Sequence, residues 1–157
     1  MTTVQESSNS NSATSEREVD RLLNHYAQSH RNPTNEKIHF VCVPTIMWTV
    51  LGLIWAIHPW AALGGALLAL IYYFTLSFTF AIGMAIMASV MLAILLSIPP
   101  AYVLPSAGAV FVVAWIFQFI GHKIEGKKPS FFEDLRYLLI GPLFVLSFLY
   151  RRLNIRY

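Results

Sequence analysis

The chain has 157 residues, of which 56% are hydrophobic and only 12% charged, and this composition excludes an ordinary soluble domain. Its net charge of +3 does not indicate nucleic-acid binding, because the basic residues lie at the ends of apolar segments and form no patch beside exposed aromatics. Cys42 is the only cysteine, which excludes an internal disulfide and a metal cluster held by several thiolates.

The N-terminal part of the chain is polar. Residues 1–14 are rich in Ser, Thr and Asn and are predicted to form a disordered leader, followed by a single helical membrane domain over 15–157. Ser15 and Glu18 have the spacing of a capping box at a helix start. A short amphipathic helix is predicted next, with an apolar face made of Val19, Leu22, Leu23, Tyr26 and His30. The segment Asn32–Asn35 contains a proline and is predicted to be a turn.

A long stretch without a formal charge, from Ile38 to Gly121, predicts the membrane-spanning part of the chain. A spanning helix needs roughly 20 apolar residues, so this stretch is long enough for about four passes. The first pass is predicted over His39–Ile57 and the fourth over Ser106–Gly121. Between them, Ala61–Ile98 has no proline but is too long for one pass, so it must fold into a hairpin. The reversal is predicted at the polar residues Thr75, Ser77 and Thr79.

The last apolar run, Leu138–Leu149, is shorter than a usual span and is interrupted by Gly141 and Pro142. It is predicted to be an interfacial or re-entrant helix. The predicted fold class is therefore an all-α membrane protein with about four transmembrane helices, an N-terminal amphipathic helix and this C-terminal helix.

Four passes return the chain to the membrane face from which it started. His25, His30 and His39 then lie at the same face as His122, whereas His58 lies at the opposite face. The Lys and Arg residues that flank the apolar block lie at the histidine-rich face, and the opposite turns carry none. This asymmetry predicts that the histidine-rich face is cytoplasmic.

The histidines are candidate metal ligands, because imidazole is the commonest metal ligand in proteins. Glu125, three residues after His122, is a candidate carboxylate ligand or hydrogen-bond acceptor. Gln118 lies one helical turn before His122, and Tyr26 has the same spacing to His30. A plainer interpretation is equally open at this point, since histidines are common at helix ends and amides in spans often bond between helices.

Two blocks of sequence carry a resemblance to a known family. The first reads YAQSHRNPTNEKIH from Tyr26 to His39 and is continued by Val43-Pro44. The second reads WIFQFIGH from Trp115 to His122 and is followed by Glu125 and Pro129. Together the blocks resemble the small membrane 2-hydroxy fatty acid dioxygenases, which are found in fungal endoplasmic reticulum and in bacteria.

The resemblance implies an Fe(II)-dependent enzyme of fatty acid α-oxidation in the endoplasmic reticulum or the bacterial inner membrane. Such enzymes convert a 2-hydroxy fatty acid and O₂ to a fatty acid one carbon shorter and CO₂. The resemblance assigns the metal ligands to His30, His39 and His122, and further site roles to Tyr26, Asn35, Gln118 and Glu125. It does not require a histidine at position 25. Lys37, Lys123 and Lys127 are candidates to attract the substrate carboxylate.

Two alternatives belong to other classes of protein. One is a small membrane transporter or scaffold with interfacial or proton-relay histidines, against which the spans argue because they carry no acid or base at the midplane. The other keeps the metal but makes the protein a lipid hydroxylase or a metal-assisted hydrolase. The sequence does not indicate an oligomeric state.

Overall fold

The computed structural model describes residues 17–28, 30–126 and 137–157. Over these residues the chain forms six α-helices: α1 (Glu18–Ala27), α2 (Pro33–Ile57), α3 (Pro59–Leu76), α4 (Phe78–Ser97), α5 (Pro100–Glu125) and α6 (Ile140–Arg152). The predicted leader 1–14 and Ser15 of the predicted capping box lie outside the described residues. Glu18 and Asp20 occupy the first turn of α1, where negative charge interacts favourably with the helix dipole.

Helices α2 to α5 are each long and apolar enough to cross a membrane, which confirms the prediction of four spans. They contain 25, 18, 20 and 26 residues. Their outward surfaces are apolar too: Leu68 is 69% exposed, Ile86 62% and Phe117 50%. A surface of this kind is unfavourable in water, so it is the surface that contacts lipid.

The breaks between the spans follow the polar and proline residues of the sequence. His58 and Ser77 have extended backbones, with φ of −159° and −167°, and each separates two consecutive helices. The reversal predicted within Thr75–Thr79 therefore occurs at Ser77, whose hydroxyl caps the start of α4. Pro59 and Pro100 take the first position of α3 and α5, where a backbone N–H has no helical partner anyway.

The segment Asn32–Asn35, predicted to be a turn, is instead the start of α2. The side chain of Asn32 caps the helix by accepting hydrogen bonds from two backbone N–H groups of the first turn, at 2.9 and 3.5 Å. Pro33 is the first helical residue. Asn and Pro suit both a turn and a helix start, so the prediction placed the beginning of this helix too late, at His39.

Helices α2 and α5 are antiparallel and form the most extensive helix–helix contact. Small residues allow the close approach: a Cβ built at Gly52 would lie 3.1 Å from that of Ala107. α5 begins at Pro100 rather than at the predicted Ser106, and it continues to Glu125. This pairing brings the start of the first span beside the end of the fourth, as a four-pass topology requires.

Helices α1 and α6 cover the end of the bundle where α2 begins and α5 ends, called the near end below. The 13 residues of α6 make a helix about 20 Å long, too short to cross a hydrocarbon core of about 30 Å. Two tyrosine hydroxyls attach the C-terminal segment to the spans: Tyr73 donates to the carbonyl of Leu139 at 2.8 Å, and Tyr150 to that of Thr79 at 2.9 Å. The predicted C-terminal helix is thus α6, which does not cross the membrane and covers the near end.

Candidate metal centre

Three histidines from separate parts of the chain meet at the near end. His30 lies in the connection between α1 and α2, His39 in the second turn of α2 and His122 in the last turn of α5. They are 7%, 2% and 6% exposed. Each offers one ring nitrogen, and these nitrogens lie within 4.8 Å of one another, so the group could hold a metal ion.

Backbone carbonyls orient two of the three rings. Nδ1 of His30 lies 2.9 Å from the carbonyl oxygen of Tyr26, and Nδ1 of His39 lies 3.0 Å from that of Asn35. Because a carbonyl only accepts, each hydrogen bond requires a proton on Nδ1, which makes Nε2 the nitrogen that would bind a metal. In His39, Nε2 is buried and has no hydrogen-bond partner among the described residues. This arrangement fits a metal ligand, whose second nitrogen usually donates to a carbonyl or carboxylate.

Aromatic rings support the histidines from α1 and α6. The ring of Tyr26 stacks on that of His30, with centroids 4.2 Å apart and 12° between the planes. Phe144 of α6 lies 5.0 Å from Tyr26 and 5.9 Å from His30. The ring of His39 makes edge contacts with His30 at 4.2 Å and with His122 at 4.9 Å. The ring positions therefore depend on packing among several elements of the near end.

Glu125 ties the end of α5 to the start of α2. Its Oε1 accepts a hydrogen bond from the backbone N–H of Arg31 at 2.9 Å. Its Oε2 accepts from the N–H of Asn32 at 2.9 Å and from the side-chain amide of Asn35 at 3.1 Å. The carboxylate also lies at the N-terminus of α2, where negative charge is favourable. Glu125 is outside the group of converging ligand nitrogens, in a place that suits a positioning residue.

Gly121 allows α2 and α5 to approach closely at the level of the histidines. A Cβ at this position would overlap Oδ1 of Asn35 and lie 3.4 Å from Cγ2 of Ile38. Asn35 is fully buried, one helical turn before His39. A side chain at position 121 would therefore push apart the two helices that carry His39 and His122.

Gln118 faces a small cavity beside the histidines. The residue is 3% exposed, and its Oε1 has no hydrogen-bond partner among the described residues. The cavity has a volume of about 20 Å³, room for about one water molecule or one substrate hydroxyl. Its other walls include Tyr26, Trp115, Tyr137, Leu138 and Gly141. The structure thus brings Gln118 and Tyr26, both predicted as site residues, to one cavity.

The other two histidines lie outside the group. His25 is exposed on α1, and its ring lies 5.8 Å from that of Tyr137. His58 is exposed at the opposite end of the bundle, between α2 and α3. Arg151 lines a polar cavity of about 180 Å³ together with His30, and the sequence did not predict it as a site residue. In the sequence, Arg151 belongs to the basic C-terminal end, and basic residues of this kind are typical of the charges that flank membrane segments.

A groove of about 360 Å³ opens at the near end between the start of α2 and α6. Its floor is largely apolar and includes Phe40, Phe144 and Phe148. Lys37, Arg152 and Glu36 also line it. Of the lysines predicted to attract a carboxylate, Lys37 is thus placed beside an apolar surface, Lys123 is exposed at the end of α5, and Lys127 lies outside the described residues.

One family of known proteins matches nearly the whole chain. A family model described as 2-hydroxy-palmitic acid dioxygenase Mpo1-like matches residues 17–153. The chain belongs to this family. The resemblance carried by the two sequence blocks is thereby confirmed, and the matched region contains the whole histidine group.

A curated Mpo1-like relative shows how far the similarity extends. The 2-hydroxy-palmitic acid dioxygenase MPO1 of Saccharomyces cerevisiae is 25% identical over 136 residues, which cover 82% of this chain and 78% of the yeast protein. No solved structure matches the chain. The Mpo1-like assignment therefore rests on sequence over most of the chain, and the arrangement of its site comes from the structure described above.

Proposed function

We propose that this protein is an Fe(II)-dependent dioxygenase that converts a 2-hydroxy fatty acid and O₂ to a fatty acid one carbon shorter, CO₂ and water. The observation that carries the proposal is the convergence of three buried histidines in a member of a family named for dioxygenase activity. Iron held by histidine ligands with open coordination positions supplies the O₂ chemistry that such a reaction needs. Zinc suits the same nitrogens but has no redox chemistry.

In this proposal the protein holds the metal with His30, His39 and His122 and keeps their rings in one orientation. The carbonyls of Tyr26 and Asn35 hold the proton of His30 and His39 on Nδ1, so that Nε2 faces inward. Glu125 keeps the two ligand-bearing helices in register through its three hydrogen bonds. In this proposal these residues position the ligands.

Gln118 is proposed to orient the substrate. Its Oε1 is buried and lacks a hydrogen-bond partner among the described residues, so the 2-hydroxyl of the substrate is a suitable donor. A hydroxyl fits the volume of the adjoining cavity, about 20 Å³. Tyr26 and Trp115, which line the same cavity, limit the access of bulk water to this hydrogen bond.

The location of the site suits a lipid substrate. At the near end, a fatty acid can keep its chain in the hydrocarbon layer while its head group reaches the histidines. Lys37 and Arg152 give this end of the bundle positive charge that attracts a carboxylate. We place this end on the cytoplasmic side, since the basic residues flank the spans there. The transporter alternative has less support, because residues 38–121 contain no Asp, Glu, Lys or Arg.

The proposal is tested with purified protein in lipid nanodiscs, supplied with 2-hydroxypalmitic acid under air and under argon. We expect bound iron, equal amounts of O₂ consumed and CO₂ released, and product only under air. Formation of the shorter acid under argon would show that O₂ is not the oxidant and would refute the dioxygenase reaction. The absence of turnover with iron bound would refute the proposed reaction.

The ligand assignment has its own test in alanine variants. His30→Ala, His39→Ala and His122→Ala should each lose iron and activity, because an incomplete ligand set binds the ion weakly. His58→Ala is the control and should keep both, since His58 is exposed at the opposite end of the bundle. Retention of iron by His122→Ala together with its loss from His58→Ala would overturn the assignment.

A further inference from the structure

We infer that an apolar cavity between α2, α3 and α4 binds the hydrocarbon tail of the substrate and is reached from the metal centre past Leu138. This inference rests on the proposed function, because it takes the occupant to be the tail of the same 2-hydroxy acid whose head lies at the histidines. It adds to that function a place for the chain and a structural limit on its length.

The cavity has a volume of about 210 Å³ and an almost wholly apolar lining. α2 contributes aliphatic side chains and Met47, α3 contributes mainly small residues such as Ala62, Gly65 and Ala69, and α4 contributes Met84 and Met91. The hydroxyl of Tyr73, which also lines the cavity, is already engaged by the carbonyl of Leu139 at 2.8 Å. Gly65 in the lining is exposed, so the cavity is partly open, and inside a bilayer an alkyl chain is the natural occupant of such an apolar surface.

The cavity is elongated along the helix axes. On α3 its lining extends from Tyr73, near the histidine end, to Ala62, near the opposite end. At 1.5 Å per residue this is a length of about 16 Å. An extended chain advances roughly 1.2 Å per bond, as a backbone does, so the cavity accommodates roughly a dozen carbon–carbon bonds. A long-chain acid would fill it, whereas a short-chain acid would barely enter.

Leu138 connects the cavity with the metal centre. Its side chain lines both the small cavity that Gln118 faces and the apolar cavity. On one side is a buried Oε1 of Gln118 that lacks a partner among the described residues, and on the other is a cavity with an apolar lining. These are the complementary surfaces for the two parts of a 2-hydroxy acid: a polar head and an alkyl tail.

The rim groove beside Lys37 is the competing location for the tail. Phe144 forms part of its wall and also lies 5.9 Å from His30, so this aromatic ring stands between the groove and the histidines. The groove is also lined by three charged residues, whereas the apolar cavity has none in its lining. The apolar cavity is therefore the better match to an alkyl chain, and the experiments below test the groove as the competing location.

Two neighbouring glycines of α3 provide a matched pair of variants. Gly65 lines the cavity and Gly64 does not. A Cβ added at either position would meet nothing within 4 Å, so Gly64→Leu and Gly65→Leu place the same side chain in the same helix without a clash at its base. The variants differ mainly in whether the added leucine enters the cavity.

The first measurement is the chain-length dependence of kcat/KM in nanodiscs. For 2-hydroxypalmitic acid, Gly65→Leu should lower kcat/KM about tenfold, the loss expected when roughly two methylene groups are displaced from an apolar site. For 2-hydroxyoctanoic acid, kcat/KM should be unchanged, and Gly64→Leu should match the wild type with both acids. Equal effects of the two substitutions, or an equal effect of Gly65→Leu on both acids, would overturn the inference.

The second measurement does not depend on turnover. A 2-hydroxy acid with a photoreactive diazirine at the end of its chain is cross-linked under argon, and the labelled peptides are identified by mass spectrometry. We expect labelling of 62–73 and 84–91 that disappears in Gly65→Leu and persists in Gly64→Leu. Labelling of α6 around Phe148 would place the tail in the rim groove and refute the inference. If no 2-hydroxy acid is turned over, the proposed function fails while the labelling still decides where the chain binds.

Discussion

Replacing Gly121 with alanine tests whether the spacing of α2 and α5 sets the geometry of the metal centre. The new methyl group would overlap Oδ1 of Asn35, a fully buried residue whose amide is held by Glu125 at 3.1 Å. Asn35 is one turn before His39, and Gly121 precedes His122. Any movement that relieves the overlap therefore displaces one ligand relative to another.

The size of the effect follows from the contact. Ordinary contact begins at 3.4 Å, so Asn35 and the start of α2 must withdraw by roughly 1 Å. Overpacking of this kind costs about 1–3 kcal/mol, and alanine regains about 1 kcal/mol over glycine inside a helix. The net loss of about 0–2 kcal/mol lowers the melting temperature by at most roughly 8 °C. A displacement of about 1 Å at a catalytic centre, in contrast, costs roughly 100-fold in rate.

The assay compares bound iron, melting temperature and turnover for Gly121→Ala and for Gly108→Ala. Gly108 is the matched control, because it lies in the same helix and a Cβ there would meet nothing within 4 Å. We expect the control to resemble the wild type and Gly121→Ala to remain folded while it loses iron and turnover. In an Asn35→Ala background the thermal cost of Gly121→Ala should disappear. Wild-type iron content and turnover in Gly121→Ala would refute the idea that helix spacing controls the site.

Three further predictions concern positioning groups and topology. Gln118→Leu should stay folded and keep most of its iron but turn over about 10–100-fold more slowly, because the 2-hydroxyl loses its acceptor. Normal turnover would make Gln118 a packing residue. Glu125→Gln should destabilise the protein by about 1–2 kcal/mol, since an amide N–H₂ would face the donors at the start of α2. In the same thermal melts the exposed Glu18→Gln should cost less, about 0.5 kcal/mol, because it loses only a surface ion pair and part of the dipole interaction. Reporter tags at the N-terminus and at Gly126 should both be cytoplasmic, and a tag at His58 should be on the opposite side of the membrane. Opposite locations for the N-terminal tag and the Gly126 tag would contradict a site formed by four passes.

The four-pass topology could be predicted from signals along the chain, whereas the choice of His30, His39 and His122 as ligands came from the family resemblance. The charge-free stretch from Ile38 to Gly121 sets the number of passes, and polar or proline residues mark the reversals, as at Ser77. An even number of passes then places His39 beside His122 without any knowledge of packing. The helical repeat likewise puts Gln118 on the side of His122.

Other contacts at the near end are not indicated by any comparable pattern in the sequence. Glu125 accepts from backbone N–H groups more than ninety residues earlier, and N–H groups do not depend on residue type. The position of α6 depends on shape: a Cβ at Gly83 would overlap the hydroxyl of Tyr150, which occupies the space that this glycine leaves. The walls formed by Leu138 and Arg151 follow from that packing, so sequence periodicity alone did not identify them.

The histidines are distributed in a way that affects how the protein is made. His30 and His39 are synthesised at the start of the first span, but His122 and Glu125 are synthesised only at the end of the fourth. During translation the first span therefore enters the membrane with two of the three histidines and without the carboxylate that orders its N-terminus. If the three histidines hold iron as proposed, tight binding has to wait until α5 has inserted beside α2. Iron loading in the cell would then report completed assembly, and nascent chains that end before residue 122 would emerge as apoprotein however much iron is available.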